Sequence, residues 1–305
     1  MTKYYLLLFL STLLMSAQFA ASKLYQSKNG SAIKTSLLFT TLSGLFNGAI
    51  FFCIGGFSIS VTPFSLICAA GVAALCLGYN LIGFRIFELG SFSVYTMFLM
   101  LGGMLLPFLY GMIFLGDSAG LDLPALICRV TGVMLLTCSL ALPCIGKLRA
   151  KEQRSRLFIP LCILVFVMNG FVSIISKLHQ IEPAAAVDPI GFVFLSNTLN
   201  GLASGIILLI LCVRSRSKPE LAKDFHIRQL ILLTACCGAF NCSAYLLQLI
   251  VASSALPASV QYPILTGGSV VLSAIVGRLF FGEKPDRWSL AGILLAFGAA
   301  FLFLT

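Results

Sequence analysis

Residues 22–26 read Ser-Lys-Leu-Tyr-Gln (SKLYQ), and 154 positions later residues 176–180 read Ser-Lys-Leu-His-Gln (SKLHQ). Each pentapeptide closes an apolar run. One echo is weak, but self-similarity that holds in order along a chain marks an internal repeat. Working outward, Leu42–Gly48 (LSGLFNG) corresponds to Leu199–Gly205 (LNGLASG) at an offset of 157. From Tyr79 to Asp117 the offset to Tyr245–Glu283 is a constant 166. It pairs Ser93-Val94 with Ser259-Val260, Gly102 with Gly268, Gly111 with Gly277, and Phe114-x-Gly-Asp117 with Phe280-x-Gly-Glu283. Gly132 then pairs with Gly292. The offsets change only between apolar runs, so whole segments correspond, not isolated letters.

With 59% hydrophobic and 10% charged residues over 305 positions, the chain has too little polar surface to cover a water-soluble globule. Apolar runs of the length a bilayer needs, roughly 20 residues, fall at 4–21, 35–53, 62–81, 93–115, 123–145, 158–177, 190–212, 228–251, 258–281 and 287–304. They are continuous and about twice the length of barrel strands. The expected fold is an all-α membrane protein of ten transmembrane helices. Span 1 matches 6, and so on to span 5 with 10. Because five is odd, the second copy enters the membrane from the opposite side, which makes a five-plus-five inverted repeat. The expected divisions are a first repeat at 1–146, a basic linker at 147–157 and a second repeat at 158–305. Lys3, the first apolar run and Ser16–Ala21 have the outline of a cleavable signal peptide. The repeat argues that span 1 is kept, since span 6 would otherwise lack a counterpart.

The net charge of +10 is sorted by loop, which argues against a nucleic-acid surface. Loops after spans 1, 3, 5, 7 and 9, with adjoining helix ends, carry 17 of the 20 Lys and Arg; the other face has only Lys3, Arg129 and Lys177. By the positive-inside rule the basic loops are cytoplasmic and both termini lie outside. The densest loops, Lys147–Arg156 and Arg214–Arg228, read as anchors at anionic lipid. All eleven cysteines fall in or at the ends of apolar spans and no Cys-x-x-Cys occurs, so neither a disulfide framework nor a zinc site is expected.

Glycine pairs four apart, Gly44/Gly48 and Gly201/Gly205, suit close helix crossings. The Phe-x-Gly-acid turns suit helix ends, with Asp122 or Asp286 capping the next helix and Pro124 in its first turn. Asp117 and Glu283 then read as structural acids near helix N-termini.

The stretch Leu256–Leu304, LPASVQYPILTGGSVVLSAIVGRLFFGEKPDRWSLAGILLAFGAAFLFL, carries Pro-Ala-x-x-x-Tyr, a small-residue run, Phe-Gly-Glu and a last helix opening near Gly292. It resembles the end of EamA-like members of the drug/metabolite transporter superfamily. It is also similar to the last two helices of small multidrug resistance proteins. The resemblance implies a ten-helix transporter. Small multidrug resistance proteins exchange protons for cations on a Glu in their first helix. Here span 1 offers Ser11, Ser16 and Gln18, and span 6 offers Asn169 and Ser173, so that mechanism is not carried over. Many ten-helix relatives are expected to have cytoplasmic termini, and the charge count here points the other way.

An ionisable side chain at the bilayer centre costs ~3 kcal/mol on insertion scales, which singles out two residues. Arg129 either snorkels toward Asp117 or Asp122 or lines a cavity. Lys177 ends span 6 on the face otherwise poor in positive charge, where it suits a helix C-terminus. Neutral candidates for substrate contact are Gln18, Asn169, Asn241 and Tyr245 on one face of span 8, Gln261 and Tyr262 ahead of Pro263, and Tyr95, the counterpart of Gln261. They suit a zwitterionic or amphiphilic metabolite. The expectation is a secondary transporter of the plasma (inner) membrane that moves a small organic solute, such as an amino acid, metabolite or drug-like amphiphile, by alternating access, with efflux as the expected direction. Its partners would be that small-molecule substrate and membrane lipid. Proton or sodium coupling stays open, and no cofactor is expected. The alternative is a flippase for a lipid-linked sugar or other amphiphilic lipid. An enzyme is disfavoured because His179 and His226, the only histidines, fall in loops expected on opposite faces, with no carboxylate pair in the spans.

Overall fold

The computed structural model describes residues 2–29, 32–89, 92–119, 121–149, 157–182, 185–216, 219, 227–281 and 287–303. They form α1 (Thr2–Asn29), α2 (Ile33–Ile54), α3 (Pro63–Leu89), α4 (Phe92–Phe114), α5 (Leu123–Arg149), α6 (Phe158–Ile181), α7 (Pro189–Ser215), α8 (Ile227–Ala252), α9 (Ala258–Phe281) and α10 (Arg287–Phe301). Each expected span falls on one helix. α1 and α3 continue past the expected ends at 21 and 81, because hydropathy follows the lipid-crossing part and not the helix. Among the described residues, seven helices are long and apolar enough to cross a membrane on their own: α1, α2, α3 and α5 to α8. A helix satisfies its own backbone groups, which the hydrocarbon demands.

The packing follows the repeat. α1 packs on α8 and α9, and α6, its counterpart, packs on α3 and α4. α2 packs on α7 and α8, while α7 packs on α2 and α3. α4 lies on α9, and α5 on α10. Exchanging each helix with the one five places away reproduces this set. The pairs close a ring of eight, α1-α8-α2-α7-α3-α6-α4-α9, with α5 and α10 packed together beside α4 and α9. The all-α membrane fold is therefore a five-plus-five inverted repeat whose halves interlock.

The pseudo-two-fold axis passes through the α2–α7 crossing. A Cβ on Gly44 would lie 2.8 Å from the Gly201 Cα, and one on Gly201 would lie 2.9 Å from the Leu45 nitrogen, so only glycine permits this approach. On either side the pattern is mirrored, with Gly48 against Thr198 and Gly205 against Thr41. Apolar cores flank the ring. Leu8, Met104, Phe108, Leu136, Ala296 and Phe303 join α1, α4, α5 and α10. Phe51, Ala69, Phe192 and Leu249 join α2, α3, α7 and α8. Large apolar side chains such as Val213 and Leu209 remain 69% and 65% exposed, as a lipid-facing surface requires.

The α4–α5 turn is built as expected. Gly116 takes φ +72°, Asp117 N–H donates to the Gly111 carbonyl at 3.0 Å, and the Asp122 carboxylate accepts from Ala125 N–H at 3.1 Å. Its counterparts Glu283 and Asp286 lie outside the described residues.

Candidate functional site

Polar side chains gather where α6, α8 and α9 meet. A helix leaves its last four carbonyls without intrahelical donors, and at the C-terminus of α8 all four are met. Leu249 O accepts from Ser253 N at 2.9 Å, Ile250 O from Ser253 Oγ at 2.9 Å, and Val251 O from Ser254 N at 3.0 Å. The fourth, Ala252 O, accepts from Lys177 Nζ at 2.7 Å, and the same ammonium donates to Leu256 O at 3.2 Å. Lys177 is 5% exposed. Its charge sits where the helix dipole favours it, which explains a lysine on the face the charge rule leaves bare.

The other end of the same connection is held from the first half. The first N–H groups of α9 lack intrahelical acceptors, and Ser259 N–H donates to Asp117 Oδ2 at 2.8 Å. Arg129 donates from Nη1 to the Asp117 carbonyl at 3.2 Å and to Ser259 Oγ at 3.0 Å. Of its two open readings, the contact made is with Asp117, through the backbone, together with Ser259. Asp117, Arg129 and Lys177 thus form one charged belt that fixes the α8–α9 connection.

Neutral groups tie the ring together one or two turns deeper. Tyr245 Oη lies 2.7 Å from Ser176 Oγ, and Ser176 spends its own proton on the Val172 carbonyl at 2.7 Å, so the tyrosine is the donor. Tyr262 Oη donates to the Ser173 carbonyl at 2.7 Å. Asn169 Nδ2 donates to the Leu99 carbonyl at 2.7 Å, joining α6 to α4. Gln261 Nε2 donates to the Gln248 carbonyl at 2.9 Å, while Gln248 Nε2 reaches Ser11 Oγ at 3.2 Å. Gln261 is fully buried and its Oε1 has no partner. Asn47, 2% exposed on α2, likewise has an unpartnered Oδ1. A buried acceptor left unpaired costs about 1–3 kcal/mol, so both are places where a donor from water or solute would be favoured.

Asn169, Tyr245, Tyr262, Gln261 and Lys177 thus each make an interhelical tie, to Leu99, Ser176, Ser173, Gln248 and the end of α8 respectively, clustered around α6, α8 and α9. The structure does not join all the sequence candidates. Gln18 is half-buried, and its backbone carbonyl receives the Cys237 thiol at 3.9 Å. Asn241 is exposed although it lies four residues from Tyr245. The side chain of Tyr95 lies outside the described residues. Sequence reading missed Gln248 and Ser176 as partners in these ties. The SKLHQ echo carried a signal for Ser176, whereas Gln248, which the offset of 166 pairs with Ile82, had none.

His179 is corrected. It lies in the last turn of α6 and not in a loop, fully buried and stacked on Phe192 at 3.9 Å. Its Nε2 lies 2.7 Å from Ser65 Oγ and its Nδ1 lies 2.8 Å from Gln180 Nε2. The helix continues past Lys177 because protein, not lipid, surrounds its end. His226 lies outside the described residues.

A ring of helices in two inverted halves, with neutral hydrogen-bonding groups between them, defines the class as a multi-pass membrane transporter. The EamA-like transporter family model matches residues 156–305, which hold α6 to α10. Covering 150 of the 305 residues, the match supports membership of the drug/metabolite transporter superfamily. A solved structure titled "Crystal structure of protein" matches with a TM-score of 0.70 over 99% of this chain and 96% of its own, at 16% identity, a likeness of fold. No curated protein matches the sequence significantly.

Proposed function

We propose that the chain is a secondary carrier of the plasma (inner) membrane that exports a small organic solute by alternating access. The observation that carries this reading is the group of neutral side chains Asn169, Tyr245, Tyr262, Gln261 and Gln248, of which Asn169 on Leu99 and Gln248 on Ser11 bond across the interlocked inverted halves. Inverted repeats place a binding site near the midplane between halves that can rock in opposite senses. Neutral amides and hydroxyls set among apolar walls orient a solute by a few hydrogen bonds. The unpartnered Gln261 Oε1 favours a solute with a donor, such as the ammonium or hydroxyl of an amino acid or amphiphilic metabolite. Asn169, Asn241, Tyr245, Gln261, Tyr262, Gln18 and Tyr95 are the proposed contacts, with Arg129 and Lys177 in the belt above them. The two proposed repeats are 1–146 and 158–305, joined by the basic linker, with both termini outside.

Counterflow in proteoliposomes tests the reading against a panel of amino acids, nucleosides, sugars and cationic drugs. Uptake of at least one radiolabelled solute against its unlabelled form is expected, with at least tenfold loss for Gln261→Ala. Failure across the panel, with headgroup-dependent lipid scrambling instead, would favour a lipid-linked sugar flippase.

A further inference from the structure

The pentapeptides SKLYQ and SKLHQ differ at one position, Tyr25 against His179. Both side chains are buried, but only the histidine changes charge between about pH 5 and 8. The His179 ring is held between Phe64 of α3, 5.7 Å away and 6° from parallel, and Phe192 of α7, 3.9 Å away at 22°. Its partners fix its proton. Gln180 Nε2, 2.8 Å from Nδ1, can only donate, so Nδ1 accepts. Ser65 Oγ gives its own proton to the Ala185 carbonyl at 3.3 Å, so at 2.7 Å it accepts from Nε2–H. Both contacts therefore require the neutral ring. Ser65 Oγ also accepts from Val187 N–H at 3.0 Å. Thr62 caps α3 by accepting from Ser65 N–H at 3.1 Å and donates to the same Ala185 carbonyl. One buried imidazole thus ties the start of α3, the end of α6 and the segment leading into α7.

A proton added at Nδ1 would meet the Gln180 N–H head-on. The faces of Phe64 and Phe192 favour a cation, yet a charge taken from water with no opposite charge beside it is held at a larger cost. The charged groups around the ring are engaged elsewhere or exposed. Lys177, on the same helix, donates to the α8 carbonyls; Glu182, just after α6, is exposed; Asp188, just before α7, is exposed and accepts from Gly191 N–H. Beyond α4, Asp117 accepts from Ser259 N–H. The titratable groups turned to α6 from α8 and α9 are Tyr245, on Ser176, and Tyr262, on the Ser173 carbonyl. The first turns of α3 and α7, residues 62–66 and 189–193, include no charged residue.

We propose that His179 is a proton-binding site that gates this end of the molecule. One proton from solution joins the Nδ1 lone pair, the ring leaves its bonds to Ser65 and Gln180 for water, and the ends of α3, α6 and α7 part. In the orientation proposed above this end faces outside, so external acid opens the outer side of the carrier; the inference rests on that reading and adds a regulator to it. Above the ordinary histidine value of about 6.5 the neutral ring keeps the tie. Below it the open form holds one proton more than the closed form, so its population rises about tenfold per pH unit.

Hydrogen exchange of the full chain in nanodiscs, corrected for the intrinsic dependence of exchange on pH and read over residues 185–192, tests this with both faces open and no solute. Val187 N–H, bonded to Ser65, reports the tie directly. Exchange there is expected to rise about tenfold for each pH unit between about pH 6 and about pH 5. The dependence should vanish in His179→Phe, which keeps a ring between Phe64 and Phe192. The chain has two histidines, so magnetic resonance of nitrogen-labelled histidine in the unsubstituted protein, with His226→Gln for assignment, follows the same event if His179→Phe fails to fold. The neutral Nε2–H form is expected to give way to imidazolium over the range in which exchange rises. Flat exchange down to about pH 5 overturns the proposal. A rise that persists in His179→Phe overturns it too, as does imidazolium formed without any rise, the result of a turned Gln180 amide holding the charge in place. Failure of counterflow across the solute panel removes the carrier and leaves this site, whereas a flat pH response beside working counterflow removes the site alone.

Discussion

At the α2–α7 crossing the two repeats are interchangeable, but at the ends of α1 and α6 they are not. The crossing sits on the pseudo-two-fold axis, where each half meets its own image, so any change in one half must be matched in the other. Gly44 and Gly201 meet on equal terms. Away from the axis the halves meet different neighbours, and there they diverge. The SKLHQ end buries Ser176, Lys177 and His179 in contacts with α8, α3 and α7. At the SKLYQ end, Ser22 is only half-buried and rests on a cysteine. Tyr25, the counterpart of His179, is as deeply buried at 1% exposed, so the divergence lies at Ser22 against Ser176 and not along the whole helix end.

The strongest way to break this comparison is at the axis. A Cβ at Gly44 or at Gly201 would press into backbone, which has no rotamer by which to yield. Gly44→Val and Gly201→Val are each expected to destabilise by about 3 kcal/mol, at the upper end for overpacking. The two losses should agree closely when measured by unfolding in mixed micelles. A large loss for one and none for the other would mean the axis does not pass there.

At the ends the expectation reverses, and unequal losses are the sign of a correct assignment. Lys177→Met keeps the stem but leaves Ala252 O and Leu256 O without their donor. Hydrogen bonds to a charged group contribute about 1.5–3 kcal/mol, so a loss near 2 kcal/mol is expected in the same unfolding measurement. Stability unchanged by Lys177→Met would free Lys177 from its capping role and return it to the substrate candidates.

Much of this was legible in the sequence, and the boundary of legibility has a physical cause. Hydropathy and offset together located all ten helices and the order of the halves, because lipid exposure and repetition are properties of the chain read locally. The role of Lys177 was not legible, since its acceptors lie 75 and 79 residues away and are orphan carbonyls, which no side-chain pattern announces. Hydropathy places His179 in a loop because its helix end is buried by protein, and hydropathy registers only burial in lipid. The spacing of Asn241 and Tyr245 put them on one face, yet a difference of 40° per four residues is enough to leave one exposed and the other half-buried. Gln261 was found from its place before Pro263, whereas its partner Gln248 was passed over as one more polar residue in an apolar run.

A smaller effect separates the N-termini of α7 and α2. Asp188 caps α7, its Oδ1 accepting from Gly191 N–H at 3.3 Å, with Pro189 at the first helical position. Asp188→Ala is expected to cost about 1 kcal/mol. The loss should appear in thermal unfolding without a change in secondary structure.

The smallest effect runs the other way. Ala32 caps α2 with φ −59° and ψ 137°, close to the −57° and 159° of Asp188, and makes no side-chain bond. Its carbonyl already accepts from Ser36 N–H at 3.0 Å, so the backbone is in capping geometry and only the acceptor is missing. Ala32→Asp should then add roughly 0.5 kcal/mol, helped by its place at a positive helix end. If the gain matches the loss from Asp188→Ala, the two repeats differ here only by a side chain. If Ala32→Asp instead destabilises, the carboxylate meets unfavourable surroundings at the start of α2, and the asymmetry of the two halves extends into the backbone environment of that face.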